Sequence, residues 1–362
     1  MIHIDGSHME GGGQIVRTAL ALSTLTGKPF RVDKIRHNRP KPGLKRQHIS
    51  CIDALKHLAS ATRVDGAKPG SVSLEFVPGE IGARSIFIDI GTAGSITLLL
   101  QSLLLPCMFA AAPVGIQIRG GTDTRWSIPI DYFEQVILPY FNKFAECKIN
   151  DIKRGYYPKG QGTVNMTVSP RYHMIDFKNL NKLFAHLKNT VPEIFLVAGP
   201  EIIEICGISS ASNHLKGAKV AERQARGAAE VLERDYSDFI RCEYQDTASV
   251  GSVITLWTAS KAHGGMAAAD ALGLKGVRAE KVGATAAQKL LALLNSNAAV
   301  DHHLADNLVP LLALVGGTIV TDKITGHIRS NIYVCEQFLD VAFCIDETEN
   351  RITAAETAVG PR

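Results

Sequence analysis

The residues best suited to chemistry fall into four short stretches. The first is Asp5-Gly6-Ser7-His8-Met9-Glu10-Gly11-Gly12-Gly13-Gln14. Its three consecutive glycines precede a helical pattern, and a backbone without side chains lets a phosphate come close. Glu10, beside them, offers a carboxylate to a divalent metal. A plainer reading also fits, a tight turn carrying an exposed glutamate. The pattern is not G-x-x-x-x-G-K-[ST], which excludes a P-loop. The second stretch, 34–46, reads Lys-Ile-Arg-His-Asn-Arg-Pro-Lys-Pro-Gly-Leu-Lys-Arg and holds six cations and no acid. Pro40, Pro42 and Gly43 keep it out of a helix. Such a loop suits a polyanion, through charge neutralisation and Arg forks on phosphate, or is a solvated basic loop. The third is His302-His303-Leu304-Ala305-Asp306-Asn307, inside an apolar helical pattern. Neighbouring histidines point to different helix faces, which argues against a shared zinc site. They are surface residues at a helix start or a polar rim on a nucleotide pocket. The fourth is Thr325-Gly326-His327-Ile328-Arg329-Ser330-Asn331. A neutral imidazole here can attack phosphorus and hold the product as a phosphoramidate, and a helix N-terminus beside it favours phosphate. A lone histidine also serves structure.

Elements of one kind must position these stretches: a strand, a glycine-rich loop, then a helix. The pattern predicts strand 2–5 with a helix over 14–25, strand 85–90 with a helix over 95–109, and strand 115–118 with a helix over 129–141. A last copy has strand 316–320, a loop through His327 and a helix over 331–338. Recurrence of one unit points to an internally repeated α/β fold. Residues 184–275 read differently, with strands at 201–205, 239–244 and 253–258 and a polar helix over 218–234. Such a segment suits a small separate module. Residues 279–317 return to helix, with apolar positions at Ala287, Leu290, Leu291, Leu294, Leu304, Leu308 and Leu311.

The 362 residues are 46% hydrophobic and 20% charged, which excludes a disordered chain and gives a sizeable core. Net charge is +4, from 39 Lys and Arg against 35 Asp and Glu. That permits a nucleic-acid partner without requiring one. The seven cysteines are scattered with no CxxC pair, so neither a disulfide framework nor a zinc site is expected. Buried thiols suit a reducing cytosol, and a cytoplasmic location is the expectation. No signal peptide is read at the start. The most apolar run, 96–112, is broken by Gln101 and Pro106, so it reads as a buried helix rather than a membrane span.

Taken together, the motifs resemble the RNA 3′-terminal phosphate cyclase family. The matching residues are Asp5…Glu10-Gly-Gly-Gly-Gln14-Ile-Val-Arg17, Arg39-Pro-Lys-Pro-Gly-Leu-Lys-Arg46-Gln47-His48, Gly94-Ser95…Gln101, Gly120-Gly121-Thr122-Asp123, Gly155-Tyr156-Tyr157-Pro158…Gly162, His303-Leu304-Ala305-Asp306 and His327…Asn331. They run from the first strand nearly to the C-terminus in the family's order. The resemblance implies a large catalytic domain of three repeated βαβαββ units, placed at 1–183 and 276–362, with a small inserted α/β domain at 184–275. It implies that His327 attacks the α-phosphate of ATP and becomes adenylylated. AMP then passes to an RNA 3′-phosphate, and the vicinal 2′-hydroxyl closes a 2′,3′-cyclic phosphate as AMP leaves. On this resemblance Glu10 holds the metal, Mg²⁺ or Mn²⁺, and Gln101 and His303, Leu304, Ala305, Asp306 and Asn307 contact ATP. Arg17, Arg39, Arg46 and His48 fall among positions suited to phosphate or RNA, and Arg125 joins them on charge alone. Asn307 stands where many members have glutamine and His303 where some have tyrosine, which leaves nucleotide preference open.

Two rival readings share the architecture. A cyclase-like ribosome-biogenesis protein acts without adenylylation and lacks the nucleophilic histidine. An enolpyruvyl-transferase-like enzyme uses similar repeats on a small anionic metabolite and needs neither His327 nor the His-Leu-Ala-Asp run. The oligomeric state is open, a homodimer among the options, and no membrane partner is expected.

Overall fold

Apolar and polar residues alternate along most strands of this α/β protein, so the sheets they build have one face for a helix layer and one for water. The structure is a computed structural model that describes residues 1–82, 85–199, 204–233, 235, 239–259, 267–296 and 298–356. The first unit contains strand β1 (Ile2–Asp5), helix α1 (Gly13–Thr26), β2 (Phe30–Asp33) and α2 (Arg46–Leu58). Strands β3 (Ala59–Ser60), β4 (Arg63–Asp65), β5 (Leu74–Val77) and β6 (Glu80–Ile81) complete it. Its sheet has the order β1-β2-β5-β4, with β1 and β2 parallel and the others antiparallel; β3 and β6 make a separate ribbon.

The second unit is β7 (Ser85–Asp89), α3 (Ile96–Cys107) and β8 (Val114–Gly120), followed by a continuous helix. That helix runs from α4 (Ile130–Tyr132) through a π-helical turn (Phe133–Ile137) into α5 (Leu138–Phe141). Strands β9 (Ala145–Lys153) and β10 (Gly162–Pro170) close a sheet of order β7-β8-β10-β9. Helix α6 (Leu180–Thr190) leads to β11 (Ile194–Leu196). A smaller layer follows: β12 (Glu204–Ser212), α7 (Val220–Leu232), β13 (Ile240–Gln245), β14 (Ser252–Ala259), β15 (Ala268–Leu272) and α8 (Ala279–Leu294), with sheet order β13-β12-β14-β15. The chain ends on α9 (His302–Val315), β16 (Gly317–Val320), α10 (Gly326–Phe338), β17 (Val341–Asp346) and β18 (Arg351–Glu356). These strands join β11 in the order β11-β16-β18-β17. Three sheets therefore share one strand order, each opening with a parallel pair; a buried helix joins the pair in the first two, and the small layer and then α9 lie between β11 and β16 in the third.

The buried helices are α1, α3 and α9. Leu99, Leu100, Leu103 and Leu104 of α3 and Leu304, Leu308, Leu311 and Leu312 of α9 are wholly inside the main core. Truncating one such leucine to alanine typically costs about 2–5 kcal/mol. A second core lies under the small layer, where Ala225 and Ala228 of α7 meet Val282, Ala286 and Leu290 of α8.

Two contacts cross the expected edges of the small module, 184 and 275. Strand β11 pairs in parallel with β16 from Ile194↔Gly317 to Leu196↔Ile319, so it belongs to the last repeat's sheet. Helix α8, beyond 275, packs on α7 and shares the second core. The small layer thus draws on residues 204–294. The helix expected over 331–338 begins five residues sooner, at Gly326, because the Thr325 hydroxyl caps it by accepting from the Ile328 N–H at 3.2 Å. Of the strand expected at 201–205, residues 201–203 lie outside the described residues. So do Arg234, at the end of the polar helix, and residues 357–362.

Candidate active site

Strand β1 delivers the chain into the glycine turn at Asp5. The Asp5 carboxylate accepts hydrogen bonds from Ser7 N at 2.9 Å and Ser7 Oγ at 2.6 Å, which folds the loop back on itself. Gly11 takes a left-handed φ of 53°. Asn38 of the basic loop donates to the carbonyls of Ser7 and Met9, both at 3.1 Å, and so ties the two loops together. Gly12 caps α1 without any side chain, leaving the first amides of a deeply buried helix without a side-chain partner. Amides of this kind suit an anion.

The N-terminus of α10 reaches the same place. His327 lies in its first turn, with Nε2 3.3 Å from Glu10 Oε2. Arg39 Nη2 holds the same carboxylate oxygen at 2.8 Å. The His327 ring is 42% exposed, so it is open to a ligand while held from one side. Tyr333, further along α10, accepts a hydrogen bond at its hydroxyl from Asp5 N at 3.2 Å and stacks on His8 at 4.1 Å. These contacts fasten α10 to the glycine turn.

A narrow cleft lies among α1, α3, α9 and α10. Its walls are Gln14, Arg17 and Thr18 of α1, Gln101 of α3, Asp306 and Asn307 of α9 and Asn331 of α10. Asn331 is the hub. It accepts from Gln14 Nε2 at 3.0 Å and from the Thr18 hydroxyl, and its amide donates to Asp306 Oδ1 at 2.7 Å and Asp306 O at 3.0 Å. Gln101 Nε2 donates to Asn307 Oδ1 at 2.8 Å, and Asn307 Nδ2 donates to the His303 carbonyl at 2.8 Å. Two buried polar atoms stay unmet, Arg17 Nε and Gln101 Oε1. Arg17 donates to Gln14, a neutral partner, and burial pulls its guanidinium below its ordinary range. Burial also raises the Asp306 carboxyl, against the charges of His327 and Arg17. A buried cation with a neutral partner and a free N–H suits a phosphate oxygen.

The structure brings His327, Glu10, Arg39, Arg17, Gln101, Asp306 and Asn307 to one cleft and its mouth. Leu304 and Ala305 face the core instead and hold α9 in place. His303 lies on the exposed side of α9 beside His302, their rings 4.1 Å apart. His48 is buried. Its Nδ1 accepts from Lys45 N at 2.9 Å, and burial with the nearby Arg17 charge pushes its pKa down to about 3. Its ring lies against Gly13 of the glycine turn. Arg46, in the first turn of α2, and Arg125 are both exposed, and neither makes an ion pair among the described residues. Neither Thr18 nor Asn38 is among the site residues expected from the sequence. Thr18 had a readable signal: Gln14, Arg17 and Thr18 form a polar i, i+3, i+4 stripe in the otherwise apolar first half of α1. Asn38 had none, because its role is to grip carbonyls of a distant loop.

Among the described residues, no group of three or more His, Cys, Asp or Glu side chains could hold a metal, and no helix is long and apolar enough to cross a membrane. A family model described as RNA 3′-terminal phosphate cyclase matches residues 8–345. Relatives bearing that name occur in Methanosarcina acetivorans, 44% identical over 356 residues, covering 96% of this chain and 98% of the relative. Another is in Pyrococcus furiosus, 43% identical and covering 95% and 94%. A third is in Archaeoglobus fulgidus, 44% identical and covering 94% and 96%.

Proposed function

The chain belongs to the RNA 3′-terminal phosphate cyclase family, and from that premise we propose that His327 is its nucleophile, taking AMP from ATP and passing it to an RNA 3′-phosphate. The observation that carries the reading is the pairing of His327 Nε2 with Glu10 at 3.3 Å, at the point where the N-termini of α1 and α10 converge. A nucleophile needs a lone pair facing phosphorus. The imidazole must then be neutral, its proton on Nδ1, and Glu10 must leave Nε2 before attack. Arg39, 2.8 Å from the same carboxylate, is placed to take it. The nitrogen bonds to the α-phosphorus and pyrophosphate departs. Oriented amides at two helix ends favour the charge that builds on the phosphoryl oxygens. Arg17 and Gln101, with unmet polar atoms in the cleft, supply further contacts to ATP, together with Asp306 and Asn307.

Glu10 also suits a divalent cation of the Mg²⁺ type, which takes one or two carboxylates and fills its remaining positions with water and substrate phosphates. When bound, such an ion would offset charge on the departing pyrophosphate. In the second step the RNA 3′-phosphate displaces His327 from phosphorus and carries away the AMP. The vicinal 2′-hydroxyl then attacks the activated 3′-phosphate, its proton is lost, and AMP leaves as the cyclic ester closes. The reaction makes the enzyme a ligase that forms phosphoric-ester bonds. Arg39 and Arg46 line the approach for the RNA end, with Arg125 further out. A cytoplasmic location accords with the free cysteines. The small layer, 204–294, is in this reading a domain inserted into the third repeat.

The test is self-labelling. Incubated with α-labelled ATP and a divalent metal, the wild type should acquire acid-labile, alkali-stable label, and His327→Ala should acquire none. Equal labelling of the two proteins removes His327 from this role. Arg46→Ala should weaken RNA end-processing and spare the labelling step; loss of both steps would assign the basic loop to ATP or to the fold.

A further inference from the structure

We propose that Trp126 and Tyr157 form a stacking platform for the RNA bases that lie upstream of the reacting 3′-phosphate. This rests on the cyclase reading and adds the path of the RNA body. Trp126 is 94% exposed and Tyr157 is 77% exposed. Rings of this kind are normally covered by a core or a partner. Trp126 also sits at a φ of 70°, in the left-handed region that a bulky L-residue rarely adopts. The chain thus holds an indole in water in a strained conformation with no packing return. Strain of that kind persists where the surrounding structure enforces it and the site uses it.

The surroundings do enforce it. The two loops lie side by side, joined by a bridge between Asp123 and Tyr156 and by a hydrogen bond from Thr122 N to the Gly155 carbonyl at 2.9 Å. Below them the buried Arg154 pairs with Asp123 at 3.3 Å and Asp131 at 2.7 Å. The two loops that carry the rings are therefore fastened to a rigid base.

The charge beside the rings selects the partner. Arg125 precedes the indole, Lys159 lies two residues beyond the phenol, and both are exposed without an ion pair among the described residues. Aromatic faces flanked by cations suit single-stranded nucleic acid, because every base offers a π-face and every linkage a phosphate. The loops are also continuous with the catalytic region. A Cβ on Gly160 would lie 2.7 Å from Ala93 Cα, one on Gly94 would lie 3.8 Å from Gln47 Cβ, and one on Gly91 would lie 3.9 Å from Arg46 Nη1. Arg46 and Gln47 open α2, whose His48 ring lies against Gly13 in the glycine turn. A strand of RNA with its end at His327 can follow this line of loops to the rings.

The experiment uses RNA 3′-phosphates of two lengths, a dinucleotide and a chain of about ten nucleotides, within the span of single-strand sites. With the longer RNA, Trp126→Ala and Tyr157→Ala should raise the cyclisation KM about 5- to 100-fold, the range that loss of one base stack gives. The dinucleotide KM and self-labelling from ATP should match wild type, and Trp126→Phe should restore most of the loss. Unchanged KM for the longer RNA overturns the proposal. So does an equal loss with the dinucleotide, or a raised ATP requirement in self-labelling, either of which would put the rings at the reacting nucleotides. Binding of the longer RNA is read separately as quenching of indole fluorescence, which requires no turnover. Quenching in wild type that vanishes in Trp126→Phe supports the platform even if cyclisation fails; no quenching sinks it. Trp126→Gly should melt at a higher temperature than Trp126→Ala, since glycine accepts the φ of 70°.

Discussion

Gly326 and Gly13 both stand where a methyl group would collide, yet the collisions differ in kind. A Cβ on Gly326 would lie 2.5 Å from Glu10 Cγ and 2.8 Å from Glu10 Oε1. Glu10 is half-exposed and can swing away, so Gly326→Ala should melt close to wild type. The displaced carboxylate would no longer stand where it can hold a divalent cation beside His327, and self-labelling should fall about 10- to 100-fold, the scale of a misplacement near 1 Å. A Cβ on Gly13 would lie 2.1 Å from His48 Nε2, in a buried ring that has nowhere to go. Gly13→Ala should therefore lower stability by about 1–3 kcal/mol, the cost of overpacking. Thermal unfolding paired with the labelling assay separates the two, and a reversed pattern would mean that Glu10 is fixed and His48 mobile. The glycine triplet reads in the sequence as a backbone for phosphate approach. That reading has no way to assign the last glycine to a histidine 35 residues on, because the contact exists only once α2 has docked.

At the scale of elements, α2 docks on the start of α1 through that same ring. His48 keeps a pKa near 3 against the usual 6.5, because burial and the Arg17 charge disfavour its protonated form. The unfolded chain binds a proton between those values and the folded chain refuses it. The contribution to stability is therefore complete above about pH 6.5 and is lost as the pH falls toward 3, at up to about 1.4 kcal/mol per pH unit. Urea unfolding at neutral and mildly acid pH should show a shallower acid loss for His48→Gln than for wild type. Parallel curves would place the acid sensitivity elsewhere. Elements whose pattern is local were legible. The helix expected over 14–25 is Gly13–Thr26, and the one expected over 129–141 begins at Ile130 and ends at Phe141. The start of α10 was not legible, because Thr325-Gly326 reads as loop until the threonine hydroxyl is seen to cap. That difference moves His327 from a loop into a helix's first turn, where the amide ends act on whatever it binds.

Among the buried polar joints that fasten the small layer to the large core, two do not show in the sequence as a motif. In one, the Tyr132 hydroxyl donates to Asp301 at 2.6 Å, while Asp301 caps α9 and accepts from Ala268 N of β15 at 3.2 Å. In the other, Arg154 pairs with Asp123 and Asp131 of the second unit and reaches Glu243 of β13 at 3.7 Å. Composition marked 184–275 as different but not the contacts that cross its edges. A three-residue strand such as β11 carries too little pattern to announce its partner, and α8 looks like any amphipathic helix until α7 lies against it. The two ends of the Arg154 joint should respond unequally to substitution. Asp123 and Asp131 are almost wholly buried, so Arg154→Met leaves two carboxylates without a counter-charge and should cost about 3–5 kcal/mol. Burial already raises the Asp131 carboxyl above the usual carboxylate range even with the arginine present, so the variant should also lose stability faster as the pH rises. Glu243 is partly exposed and its contact is the longest of the three. Glu243→Gln should therefore cost no more than about 1 kcal/mol, the usual worth of a solvated pair. Urea titration of both variants decides the matter. Equal costs would mean that the joint draws its strength from the contact between layers, and the second unit would then depend on the small layer to hold Arg154 in place.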